Sequence, residues 1–106
     1  MERTILAAVD DLLFRSKIYA TAAAAGSQVH FGREASAAPD LILLDLQLAD
    51  ALSLLAAWRQ QWPAVRVIGY LSHVEQELAR QAREAGCTEI LPRSAFVQRL
   101  PQLLAA

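Results

Sequence analysis

Residues 5–9, Ile-Leu-Ala-Ala-Val, form an apolar run too short for a helix, and two consecutive acids, Asp10 and Asp11, stop it. A run of that length bounded by carboxylates predicts a strand buried on both faces, as in a parallel sheet. The period then changes: Phe14, Ile18, Ala22 and Ala25 recur at helical spacing, with Asp10 or Asp11 as the starting cap and Gly26 as the stop. This strand-then-helix unit limits the possible folds most, and the chain continues in the same manner. Residues 27–31, 41–44, 65–71 and 88–91 predict four further strands, with Asp45 after the third strand and Ser72 after the fourth. Leu48, Leu52, Leu55 and Ala56 predict a helix closed by Trp62 and Pro63; Val74, Leu78, Ala82 and Ala85 predict another closed by Gly86. Phe96, Leu100 and Leu104 outline a last helix, which Pro101 is expected to shorten or bend. Such alternation implies an α/β fold: a parallel sheet with right-handed crossovers and helices on both faces.

A chain of 106 residues, 55% hydrophobic, has material for one core and none for a second, so residues 1–106 are expected to form a single domain. The net charge is -1 with both signs interspersed, which gives no basic stripe for nucleic acid or anionic lipid. The start of the chain resembles neither a secretion signal nor a membrane span, and a cytoplasmic location is expected. Cys87 is the only cysteine, so it has no disulfide partner and no zinc spacing, and it reads as a small buried apolar residue. Lys17 is the only lysine.

In open α/β sheets the functional crevice lies beyond the carboxyl ends of the strands. There the sequence puts Asp10 and Asp11, Asp45, Ser72 and, after Pro92, Arg93. Three carboxylates from adjacent strands repel one another, which a hard divalent cation such as Mg²⁺ with oxygen ligands would relieve. Without metal, at least one of the three is expected to titrate high. The Ser72 hydroxyl and the Arg93 guanidinium could hold an anion's oxygens. Blander readings stay open beside these: a helix cap or turn for each Asp, a helix cap for Ser72, a surface ion pair for Arg93.

Val9-Asp10-Asp11, the Leu43-Leu44-Asp45 strand end, Leu71-Ser72, Ala85-Gly86 and Ile90-Leu91-Pro92-Arg93 together resemble the receiver domain of bacterial response regulators, in the family's order and over essentially the whole chain. The resemblance implies a flavodoxin-like doubly wound sheet of order 2-1-3-4-5. It implies Asp45 as phosphoacceptor, Mg²⁺ held by Asp10, Asp11, Asp45 and the backbone carbonyl of Gln47, and Ser72 as the switch hydroxyl. It also implies a histidine kinase or phosphotransfer protein as phosphoryl donor and a downstream protein partner.

The departures from that pattern are specific. Arg93 stands where the family carries lysine, and Ile90 where it usually carries an aromatic switch residue. Arg93 is expected near Asp45, supplying the lysine's charge in a bulkier, forked form. His73 follows Ser72, either starting a helix or crowding the phosphate entrance, while His30 reads as a plain strand side chain. The segment after Asp45, Gln47-Leu48-Ala49-Asp50, lacks the family's Pro and Gly.

The largest departure is one of length. Only residues 32–39 link the second and third strands, where the family has a helix. Eight extended residues reach roughly 26 Å at about 3.3 Å each, enough to cross the first strand but not to build a packed helix. The helix is therefore expected to be missing or reduced and one sheet face left without cover, favouring a homodimer or partner contact near this strap, with Leu52 or Trp58 at its edge. The sequence thus reads as a stand-alone receiver-like signalling domain that accepts a phosphoryl group on Asp45 and acts through protein contacts. The alternatives are a pseudo-receiver that binds partners regardless of phosphorylation, and a small metal-dependent phosphatase, for which so short a chain offers little substrate pocket.

Overall fold

The computed structural model describes residues 2–72 and 75–105. Five strands and four helices alternate: β1 (Thr4–Ala8), α1 (Leu12–Ala24), β2 (Gln28–Phe31), β3 (Leu41–Asp45), α2 (Ala51–Gln61), β4 (Arg66–Leu71), α3 (Gln76–Glu84), β5 (Glu89–Pro92) and α4 (Arg93–Leu103). All strand pairs are parallel, in the order β2-β1-β3-β4-β5. The chain therefore reverses its direction of travel across the sheet between β1 and β3, the kind of switch point at whose carboxyl edge open α/β sheets place their functional residues.

The period-two alternation along the strands divides the core into two layers. Ile5, Ala7, Leu41, Leu43, Ile68 and Tyr70 face Ile18 of α1 and Phe96 and Leu100 of α4. Leu6, Ala8, Ile42, Leu44 and Val67 face Leu55 and Trp58 of α2 and Ala82 of α3. Both faces of β1 and β3 are buried, which is why those segments read as continuous apolar runs rather than alternating ones.

Local signals set the boundaries. Asp11 is the cap of α1, its Oδ1 accepting the Phe14 N–H at 3.0 Å. The helix ends on Gly26, whose φ of 76° belongs to the left-handed region, and Ser27 N–H reaches back to the Ala22 carbonyl at 2.9 Å. Leu48 lies before α2 rather than in it: Asp45 Oδ1 accepts the Gln47 N–H at 2.9 Å and turns the chain first. Pro101 sits in the last turn of α4, which nonetheless runs 11 residues, because so near the end proline deletes a single helical hydrogen bond. Cys87 is buried at 7% exposure.

No helix lies between β2 and β3. The strap that replaces it is pinned at both ends, by Gly32 N–H to the Ala7 carbonyl (3.1 Å) and Asp40 N–H to the Thr4 carbonyl (2.8 Å). Next to the first of these pins the Trp58 indole N–H donates to the Arg33 carbonyl at 3.0 Å. The expected bare face is not there. Leu6 and Ile42 are 1% and 0% exposed, and Trp58, expected at the edge of an open patch, is itself 2% exposed. The broad indole of Trp58, packed with Leu6 and Ile42, and the strap with its buried Pro39 supply the cover a helix would have given. The large hydrophobic side chains exposed among the described residues are Leu12, Leu13 and Tyr19, all on α1. No described helix is long and apolar enough to cross a membrane.

Candidate functional site

The carboxyl ends of β1, β3, β4 and β5 deliver the polar residues that the sequence singles out. Asp10 and Asp11 follow β1, Asp45 closes β3, Ser72 follows β4, and Arg93 opens α4 directly after β5. His73, at the expected phosphate entrance, and Val74, expected on the third helix, lie outside the described residues.

Gln47 links two of these strand ends. Its backbone N–H donates to Asp45 Oδ1 at 2.9 Å, and its side-chain Oε1 accepts from both the Ser72 N–H (2.8 Å) and the Ser72 hydroxyl (2.6 Å). The resemblance gives Gln47 a backbone role; its side chain also makes a hydrogen-bonded bridge to Ser72.

Arg93 is directed at Asp11, with Nη2 3.8 Å from Oδ2, and its guanidinium stacks on the Phe14 ring at 4.4 Å. Phe14 belongs to an aromatic stack with Tyr70 (centroids 5.2 Å apart), and Tyr70 packs on Phe96 at 4.4 Å. Burial raises the Tyr70 phenol far above its ordinary value, with the charge of Asp45 acting in the same sense.

The partner that sequence reasoning missed is Arg33, from the strap. It forks onto Asp10, Nη1 to Oδ1 at 3.0 Å and Nη2 to Oδ2 at 3.2 Å, while its Nε donates to Asp50 Oδ2 at 2.9 Å. Arg15 adds a longer contact to Asp10, 3.7 Å. The Arg33 hydrogen bonds hold Asp10 below the usual carboxylate range, opposite to the high titration expected of crowded acids, because a guanidinium supplies the positive charge that repulsion calls for. Asp50 is lowered by the same residue. No spacing signal could have revealed this, since Arg33 is 23 residues from Asp10 and 17 from Asp50.

The donor chemistry suits a hard divalent ion: carboxylate oxygens and a backbone carbonyl, with no nitrogen or sulfur. Asp10 and Asp11 keep 55% and 43% of their side chains exposed, so an ion could reach them from solvent. Among the described residues, however, no three such side chains are gathered closely enough to hold a metal ion. Asp10 is turned to Arg33 and Asp11 caps α1.

No protein-family model matches the chain, and no curated protein matches it in sequence. Its structure is similar to those of response regulators. Against the chemotaxis protein CheY4 of Vibrio cholerae the TM-score is 0.84 at 21% identity, covering 98% of this chain and 97% of that one. Against the phosphorylated cyanobacterial phytochrome response regulator RcpA it is 0.80 at 18% identity, covering 98% and 89%. A response regulator from Burkholderia pseudomallei, solved with a phosphorylated aspartic acid, a calcium ion and citrate, gives 0.81 at 20% identity, covering 99% and 68%. With the strand order, the four helices and the polar strand ends already described, these likenesses show that the chain has the fold of the response-regulator receiver domains.

Proposed function

We propose that the protein is a receiver domain that accepts a phosphoryl group on Asp45 from a histidine kinase or phosphotransfer protein and passes the signal on through contact with a downstream protein. What supports the reading above all is the bridge from Asp45 through Gln47 to Ser72, which ties a carboxylate to a hydroxyl across adjacent strand ends of a receiver fold. The phosphorylated aspartic acid of the Burkholderia relative adds to it.

In the reaction a carboxylate oxygen of Asp45 attacks phosphorus, an O–P bond forms, and the donor's N–P bond breaks with its electron pair returning to the imidazole nitrogen, which then takes a proton. Asp10, Asp11, Asp45 and the Gln47 carbonyl would hold Mg²⁺, which neutralises phosphoryl charge when bound. Ser72, released from Gln47, offers its hydroxyl to a phosphoryl oxygen, and Arg93, released from Asp11, offers its guanidinium to another. Redirecting both is the conformational signal.

Incubation with acetyl phosphate and Mg²⁺ followed by intact-mass measurement tests this reading. One phosphoryl adduct is expected in the wild type and none in Asp45→Asn. A second reading, the phosphorylation-independent pseudo-receiver, is favoured by the hold of Arg33 on Asp10. It becomes the better account if no adduct forms and partner binding ignores Asp45→Asn.

A further inference from the structure

We propose that Arg33 is a built-in cation of the acid cluster, which competes with a divalent ion for Asp10 and swings away to Asp50 alone when that ion enters. The inference rests on the receiver reading in taking Asp10 as a metal ligand. All three guanidinium nitrogens of Arg33 are engaged by two carboxylates, both oxygens of Asp10 on one side and Asp50 on the other. The other end of the residue is fixed as well, its carbonyl held by the indole of the buried Trp58. The charge is therefore delivered to one place rather than swept over the surface on a free side chain.

A divalent ion that binds Asp10 has to share its oxygens with the N–H groups of Arg33, and it then sits beside a guanidinium that repels it. Both effects weaken binding. Asp50 gives Arg33 somewhere to go: with the contact to Asp10 broken, the guanidinium keeps its Nε bond at 2.9 Å and pivots about it.

The test is Mg²⁺ titration of the full chain, wild type and Arg33→Gln, followed by NMR shifts of the Asp10, Asp11 and Asp45 amides. Arg33→Gln is expected to bind about tenfold more tightly, the size of one bidentate ion pair at a partly exposed site. The ratio should shrink as NaCl rises from about 0.05 M to about 0.5 M and screening shortens. In the wild type, saturation should move the Arg33 Nε–H resonance together with the Asp10 amide, a readout that stands even if the variant fails to fold. Equal affinities, or an Arg33 Nε–H resonance that stays put while the acids saturate, overturn the inference and leave the receiver reading intact. Absence of Mg²⁺ binding in both chains overturns the inference and the metal part of that reading together.

Discussion

Replacing Tyr70 with phenylalanine is expected to stabilise the protein. Tyr70 is 1% exposed, and its hydroxyl has no hydrogen-bond partner among the described residues. The ring is held by stacking on Phe14 and Phe96, which phenylalanine keeps. An unpartnered buried hydroxyl costs about 1–3 kcal/mol. With no bond lost in the exchange, a gain of about 1–2 kcal/mol follows, or several degrees in Tm at about 4–8 °C per kcal/mol for a domain near this size. Urea unfolding at neutral pH measures it, with the m value unchanged. The pH dependence gives a second check. Burial raises the folded-state phenol above its unfolded value. The wild type's stability is therefore unaffected below the unfolded value near pH ~10 and declines as pH rises above it, because only the unfolded chain ionises there. Phenylalanine has no such loss, so the gap between the two proteins should widen above that pH. A variant no more stable than the wild type, or a gap that narrows at high pH, would show that the hydroxyl is satisfied and refute the reasoning.

Two further outcomes follow from packing and from the site. Gly69→Ala puts a Cβ 2.8 Å from Leu46 Cγ and 3.0 Å from Cys87 Sγ inside the core, and should cost about 1–3 kcal/mol in the same urea assay; an unchanged midpoint would mean that Leu46 gives way freely. Gln47→Ala frees the Ser72 hydroxyl from its bond and should tighten Mg²⁺-dependent beryllofluoride binding about fivefold by titration, the worth of roughly one neutral hydrogen bond; weaker binding would make Gln47 a support for Ser72 rather than a restraint.

The parts of the fold legible in the sequence are those where one local signal dominates. β1 and β3 announce themselves as apolar runs because both of their faces are buried, and Asp11 and Gly26 bracket α1 because capping is short-range chemistry. The missing helix could be counted from the length of the link alone. How the face beneath it is closed could not: the sequence puts Trp58 at the edge of an open patch beside the strap, and nothing in its spacing says that its indole lies under the strap and closes that patch. At the site the strand-end positions of Asp10, Asp45, Ser72 and Arg93 follow from strand boundaries, whereas their hydrogen-bond partners depend on rotamers and long-range approach. Arg33 belongs to a segment whose sequence signals only a connector, and the resemblance points to the backbone of Gln47 rather than to its side chain.

The anchoring of β2 bears on how the pocket behaves over time. β2 is four residues long and pairs with β1 alone, and the strap continues directly from it. A short edge segment with one neighbour is the part of a domain that opens most readily by local unfolding, well below the free energy of global unfolding. Each such opening carries Arg33 off and leaves Asp10 with only its longer contact to Arg15 while the rest of the sheet stays folded. The charge balance of the acid pocket is therefore set by the fraying of the sheet's edge, and amide exchange at residues 28–33 reads the rate at which that balance is broken and restored.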